Sequence, residues 1–236
     1  MTPNGVSVIR LLSGRSNVFL VRNEQYALAV DSGIRFERSL VRNRIAKMLA
    51  GQPLSAIVLT HTHFDHAGNA AELKKIFGCR LMVHGSEAGF LRAGYSPVPD
   101  GAVPATRFLN KLDKHKIRFL VGTEPVEPDV LIGEEMDLGA FGIPVVLKHT
   151  PGHSPGSVSL VVDNDVAIVG DNMVNVMPGK IFPPFCDNVP DMFESWKKLL
   201  GTGCRIFLPS HGKEIPRALL EFSFLTQKEK WKQKHG

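Results

Sequence analysis

The spacing of hydrophobic and polar positions changes several times along the chain, and each change predicts an element. Three short apolar-rich runs open it, at residues 6–12, 17–21 and 26–30, with Ser13-Gly14-Arg15 as a turn between the first two. Strands joined by such short turns predict an antiparallel start to a sheet. From residue 40 to 49 the spacing becomes three-to-four. Leu40, Val41, Ile45, Met48 and Leu49 share a face, Arg42, Asn43 and Lys47 fall elsewhere, and Gly51 and Pro53 stop the helix. Residues 56–60 are again an apolar strand. A helix follows, with Asn69 as N-cap, Glu72 three positions on as in a capping box, Leu73, Ile76 and Phe77 on one face, and Gly78 at its end. Residues 80–83 read as the next strand, so 56–83 is a βαβ unit with a parallel pair.

Residues 86–128 break the rhythm. Pro97, Pro99, Pro104, Pro125 and Pro128 are scattered among Tyr95, Arg107, Phe108, Lys111, Lys114, Lys116 and Arg118. A long irregular stretch of this kind is expected to be functional, and it is read as a substrate lid. Periodicity then resumes: a strand at 144–149, and two apolar runs at 158–162 and 166–169 that flank Asp163-Asn164-Asp165 as a β-hairpin. A helix is expected from Asp191, with Glu194 completing a capping box and Phe193, Trp196, Leu199 and Leu200 turned inward. Gly201 and Gly203 end it. A strand at 205–208 stops at Pro209-Ser210-His211-Gly212, and a last helix from about Arg217 turns basic over 228–234. A β-rich stretch followed by βαβ occurs twice in loose form, which points to two related halves. No linker or low-complexity segment intervenes, so residues 1–236 are expected to form a single domain.

Composition narrows the class. Apolar residues make up 43% and charged ones 22% of 236, the profile of a globular protein with a sizeable core. No run approaches the ~18 apolar residues of a membrane span. No secretory leader is recognised, and three cysteines without a CxxC pair fit a reducing cytoplasm. The formal charge of +5 favours a small, anionic substrate and is too dispersed to argue for nucleic acid.

The chemistry concentrates in residues 61–66, His-Thr-His-Phe-Asp-His. Imidazole and carboxylate are strong ligands of first-row metals, and packed into one turn each of them needs a partner. His61, His153, Asp171 and His211 each follow an apolar run, and ligand sites gather at the carboxyl ends of strands in sheets with parallel pairs. The hairpin at 158–169 brings His153 and Asp171 together. One rim can therefore collect His61, His63, Asp65, His66, His153, Asp171 and His211, too many ligands for one tetrahedral zinc and suited to two metals sharing a bridge.

His-Thr-His-Phe-Asp-His, then Thr-Pro-Gly-His-Ser-Pro-Gly-Ser at 150–157, Gly170-Asp171 and Ser210-His211-Gly212, with Asp31 in Val-Asp-Ser-Gly, resemble the metallo-β-lactamase-fold hydrolase superfamily. The resemblance covers nearly the whole chain. It implies an α/β fold, an αβ/βα four-layer sandwich of two mixed sheets with helices outside. It places His61, His63 and His153 on a first metal, Asp65, His66 and His211 on a second, Asp171 between them, and Asp31 behind, orienting a ligand histidine. Asp65 and Asp171 would be the catalytic carboxylates. Two divalent ions are implied; the His-rich set favours zinc and is compatible with iron or manganese. The expected reaction is attack of metal-activated hydroxide on a small ester, thioester or lactone. A phosphodiesterase or nuclease, and a non-catalytic metal-binding or sensor protein, are the alternatives.

Within the superfamily the pattern is similar to the hydroxyacylglutathione hydrolases and lactonases. The glyoxalase II C-terminal helical domain is not expected after His211. Asp171 departs from the true β-lactamases, and His63 from the flavodiiron branch. Residues 177–185, with Phe182-Pro183-Pro184-Phe185, are read as an apolar wall beside the metals. His84, His115 and His149 are read as structural, and Cys186 and Cys204 as plain thiols.

Overall fold

Strand β2 (Asn17–Arg22) sets the layering, because its residues from Asn17 to Val21 are all buried and such a strand must be covered on both faces. Val18 and Leu20 join the core beneath one set of helices, while Phe19 and Val21 join the core that faces a second sheet. The two-residue period of a strand makes that division. These relations come from a computed structural model, which describes residues 1–97 and 122–235. Arg107, Phe108, Lys111, Lys114, His115, Lys116 and Arg118 lie outside the described residues.

The first sheet runs in the order β1 (Ser7–Ser13), β2, β3 (Ala27–Val30), β4 (Ala56–Val58), β5 (Arg80–His84) and β6 (Val130–Ile132). Its first three strands pair antiparallel and the rest parallel, as the turns at the start and the βαβ unit require. The second sheet contains β7 (Glu135–Asp137), β8 (Val145–His149), β9 (Val158–Val162), β10 (Val166–Asn175), β11 (Ile206–Gly212) and β12 (Ile215–Pro216), with β7 and β12 at its edges. Only β10 and β11 pair parallel in it. Helices α1 (Arg38–Leu49), α2 (Phe64–Ala67), α3 (Ala70–Phe77) and α4 (Ala88–Ala93) belong to the first half, α5 (Val189–Leu200) and α6 (Arg217–His235) to the second.

Three cores hold the layers. Val41, Ile45, Leu73 and Leu91 pack on Ile57 and Leu81 beneath the first sheet. Phe19, Val30 and Val58 meet Leu147, Leu160 and Ile168 between the sheets. Met192, Trp196, Leu199 and Leu220 cover Val161, Ala167 and Phe207 outside the second. The result is the four-layer αβ/βα sandwich that the resemblance implies.

Several local expectations are corrected. Asn69 does not cap α3 with its side chain; its amide donates instead to the carbonyls of Ser32 (2.8 Å) and Ile34 (2.9 Å), a tertiary demand that outweighs the capping box. Helix α5 begins at Val189, not Asp191. Asn188 is its N-cap, with Oδ1 accepting from the Asp191 N–H at 3.1 Å, and Pro190 occupies the first turn, where it is tolerated. Strand β10 runs past Val169 to Asn175, with register breaks either side of Gly170. The hairpin turn before it is of the primed type, with Asp163 and Asn164 at φ 53° and 48°. Strands β6, β7 and β12 and helix α4 are too short to show a period.

At the start of the 86–128 stretch the chain forms α4. Near its end it returns to the same place: the Thr123 N–H donates to the Gly94 carbonyl at 2.9 Å, the Val126 N–H to Leu91 at 3.2 Å, and Arg92 pairs with Glu127. No described helix is long and apolar enough to cross a membrane.

Cys79, Cys186 and Cys204 are free and buried. Burial pushes the Cys79 thiol up to about 11 and the Cys186 thiol up to about 12, so neither is a thiolate near neutrality. Ellman's reagent at pH 8 is expected to leave all three intact in the folded protein and to report three thiols after denaturation. Fast labelling of the native chain would contradict this burial.

Candidate metal centre

The seven candidate ligands converge where the two sheets meet. After β4 the chain leaves the sheet at Leu59, whose N–H still donates to Met82 at 3.0 Å, and enters the motif. His63 is the extended N-cap of α2, and that single turn carries Asp65 and His66. His153 sits in the loop between β8 and β9. Asp171 and His211 are not beyond their strands as the apolar runs suggest. Asp171 lies on the irregular stretch of β10 after Gly170 (φ 56°), and His211 lies inside β11. A bulge of this kind re-aims one side chain without ending the pairing.

The ligand atoms form three overlapping groups, each closed within 4.8 Å: His61, His63 and His153; His61, His66 and Asp171; Asp65, His66 and His211. Asp171 reaches both sides. One of its oxygens is 3.6 Å from His153 Nε2 and 3.3 Å from His211 Nε2, and the other is 3.6 Å from His66 Nε2. Asp65 lies 3.3 Å from His211 Nε2 and 3.7 Å from His66 Nε2.

The rings share one arrangement. In four of the five, an outward nitrogen is held by the protein: His66 Nδ1 by Asp31 at 2.9 Å, His153 Nδ1 by the Phe185 carbonyl at 3.0 Å, His63 Nε2 by the Pro97 carbonyl at 3.1 Å, and His61 Nδ1 by Thr60 Oγ1 at 3.1 Å. Wherever such a ring is neutral, its inward nitrogen then carries a lone pair. His63 Nδ1 and His153 Nε2 face each other at 3.0 Å, and His61 Nε2, His66 Nε2 and Asp171 Oδ1 are buried with no hydrogen-bond partner. Convergent lone pairs and orphaned polar atoms suit a cation; a hydrogen-bonded polar core would have paired them.

The electrostatics divide the site. Burial, then the neighbouring imidazoles, hold His61 well below its ordinary pKa and His63 down to about 3, so both rings are neutral. Burial also acts against protonation of His66 and His211. There the carboxylates outweigh it: Asp65, Asp171 and Asp31 raise His66, and Asp171 with Asp65 raises His211 to about 10. Asp171 is driven well below the usual carboxylate range by His211 and His66, against its burial.

Asp31 is buried at a strained φ of 61° and accepts four groups: the Thr60 N–H (2.8 Å), the Thr60 and Ser210 hydroxyls, and His66 Nδ1–H. A left-handed aspartate held by so many partners marks a local demand. Asn17 was not legible. Its amide donates to the carbonyls of Pro209 (2.8 Å) and Gly212 (3.1 Å), bracketing His211 from the opposite sheet, a contact spanning about the whole chain that no local pattern carries.

The sequence pattern of the Metallo-beta-lactamase superfamily matches residues 13–211, which include Asp31 and all seven candidate ligands. The chain belongs to the metallo-beta-lactamase superfamily. It is 27% identical over 214 residues to the metallo-beta-lactamase fold-containing protein ST1585 of Sulfurisphaera tokodaii, covering 87% of this chain and 76% of that one. The crystal structure of ST1585 superposes with a TM-score of 0.64 at 24% identity, over 94% of this chain and 85% of that one. A probable metallo-hydrolase of Streptococcus pyogenes, M6_Spy0554, is 28% identical over 210 residues, 88% of this chain and 80% of its own. The BLEG-1 B3 metallo-beta-lactamase matches with a TM-score of 0.66 over 91% of this chain and 95% of that one, at 24% identity, a likeness of fold alone. Superfamily and donor groups together imply a divalent metal.

The apolar wall read from residues 177–185 is corrected in part. Phe182 packs on Phe193 and Trp196 in the outer core, with ring centroids 5.9 and 5.8 Å apart, and Phe185 serves the site through its carbonyl. His84 and His149 stack on each other at 3.9 Å and are outside every candidate ligand group among the described residues, in line with a structural role.

Gly212 has φ 94°, and a Cβ there would meet the Asn175 backbone at 2.2 Å. Gly212→Ala is expected to cost at least about 1–3 kcal/mol from the backbone conformation, with the clash in addition. Because His211 precedes it, divalent-ion uptake should fall alongside the urea midpoint. Unchanged values for both would show that the β10–β11 contact is looser than described.

Proposed function

We propose that this superfamily member is a dinuclear metallo-hydrolase, with zinc as the favoured metal, acting on a small ester, thioester or lactone. The observation that carries the reading is the pairing of outward nitrogens and the lack of any hydrogen-bond partner at the buried inward atoms His61 Nε2, His66 Nε2 and Asp171 Oδ1. His61, His63 and His153 would hold one ion, Asp65, His66 and His211 the other, and Asp171 would be shared. Divalent ions bound there supply Lewis acidity and a water acidic enough to lose its proton near neutrality.

The chain's own residues do the positioning. Asp31 fixes the His66 tautomer, and the carbonyls of Pro97 and Phe185 fix His63 and His153. Asp65 and Asp171 converge on His211 Nε2, each at 3.3 Å, a geometry that supports reading them as the catalytic carboxylates. Relatives in Streptococcus pyogenes and Bacillus subtilis are probable metallo-hydrolases, which supports the hydrolase class. Asp171 supports the branch of hydroxyacylglutathione hydrolases and lactonases, and the net charge of +5 supports an anionic substrate.

Reconstitution with zinc after chelation is expected to give two ions per chain by elemental analysis. His66→Ala should retain about one, and Asp171→Ala should weaken both. Fewer than one ion per wild-type chain would end this reading. A panel of p-nitrophenyl esters, acyl thioesters and lactones should be turned over; activity confined to bis(p-nitrophenyl) phosphate would move the assignment to a phosphodiesterase.

Proton linkage gives a further test. The raised His211 pKa of about 10 means that a proton is held there until high pH and must leave before an ion binds. Affinity for the ion lost in His66→Ala should therefore rise between pH 6 and 9. A flat dependence would contradict the placement of His211 in that group.

A further inference from the structure

Glu87 is fully buried, yet no step above uses it. It closes a single turn, Gly85–Glu87, between β5 and α4. Four donors meet its two oxygens. Oε2 accepts the Thr62 N–H at 3.1 Å and the Thr62 hydroxyl. Oε1 accepts the Ser154 hydroxyl at 2.7 Å and the Gly156 N–H at 3.1 Å. Ser157 Oγ extends the chain: it lies 2.9 Å from Ser154 Oγ and accepts the Ser154 N–H at 3.2 Å. Among the described residues Glu87 has no ion pair. Its burial is offset by neutral donors alone, an expensive arrangement that a fold retains only where those donors must be held.

Those donors have one thing in common. Thr62 stands between His61 and His63, and Ser154 follows His153. One carboxylate thus ties together the two loops, one from each sheet, that bring in the three histidines of one donor group. Asp31 does the matching work on the other side, gripping Thr60, His66 and Ser210. His61 is therefore clamped through both neighbours, Thr60 by Asp31 and Thr62 by Glu87. The geometry explains why the group must be a carboxylate. Four donors need an acceptor-only partner, and an amide at this position would turn N–H groups against one of the two loops.

We propose that Glu87 is a positioning residue that latches the 61–63 loop to the 153–157 loop and so sets the spacing of His61, His63 and His153 for a divalent ion. This rests on the reading that those histidines hold such an ion. Outer partners of metal ligands are worth about 10–100-fold in metal affinity, and Glu87 acts on three ligands through two loops.

The test uses the full chain, stripped with a chelator and titrated with cobalt(II) and with zinc against a chromophoric competitor. The His66→Ala background isolates the three-histidine group. There, Glu87→Ala and Glu87→Gln are expected to weaken the remaining ion by about 10–100-fold and to change its cobalt visible bands, with thermal midpoints followed in parallel. Thr62→Val and Ser154→Ala each remove one hydroxyl donor without touching the carboxylate. Each should give a smaller loss in the same direction, and they carry the test if the Glu87 variants do not fold. Full affinity and an unchanged cobalt spectrum in the Glu87 variants, or in both donor variants where those must stand in, would overturn the latch while leaving the metal centre intact. A wild-type chain that takes up no ion would overturn both.

Discussion

Five imidazoles and two carboxylates cannot be buried within a few ångströms of one another without positive charge among them. The chain meets this constraint unevenly. Beside Asp65 and Asp171, protons supply the charge, because the carboxylates hold His66 and His211 in their charged form against the pull of burial. Around His61 and His63 the pull of the carboxylates is outweighed, and burial with repulsion among the imidazoles keeps the rings neutral. The two halves therefore differ in kind before any ion arrives. One is a proton-filled ion-pair cluster, the other a set of bare lone pairs.

Such a centre needs a scaffold that does not collapse around it. The two six-stranded sheets supply this by burying apolar residues on three levels, so that the polar seam is a small part of a large core. The candidate ligands come from both sheets, and so do the groups that hold them. Asn17 reaches from the first sheet to the carbonyls beside His211, Asp31 reaches Ser210, and the carbonyl of Phe185 fixes His153 from the segment before α5. Mutual support across the seam explains why strain is tolerated at Asp31, whose left-handed backbone turns its carboxylate toward four donors.

How much of this was legible depends on the range over which each signal acts. The motif at 61–66, the loop at 150–157, Asp171 and His211 stand out because imidazole and carboxylate after an apolar run is a chemically specific pattern, and the structure brings all of them together. The layered sheets follow from the continuous apolar runs of β2 and β9 and from the helical period of α5. What escaped is what long-range contacts decide. Asn69 looks like a helix cap and serves distant carbonyls. Phe182 looks like a pocket wall and belongs to the core with Trp196. Asp171 looks like a residue past a strand, because the apolar run stops at Val169, whereas β11 continues to pair with β10 to Asn175. Glu87 has no local mark at all. Its donors are 25 and 67 or more residues away in sequence, and only the fold shows that they flank ligands.

A divalent ion held by histidine and aspartate would polarise carbonyl and phosphoryl oxygens alike, so such a donor set does not choose between an ester and a phosphodiester. The choice falls to the rim. On the His211 side, Asn175 pairs with Gly212, and the residues that follow it, Val176 and Met177, are 70% and 59% exposed, an apolar edge at the end of β10. On the His63 side, the Pro97 carbonyl holds the ring at the point where the chain departs into 98–121. One edge is apolar; the other is continuous in sequence with residues 98–121, which include Arg107, Lys111, Lys114, Lys116 and Arg118.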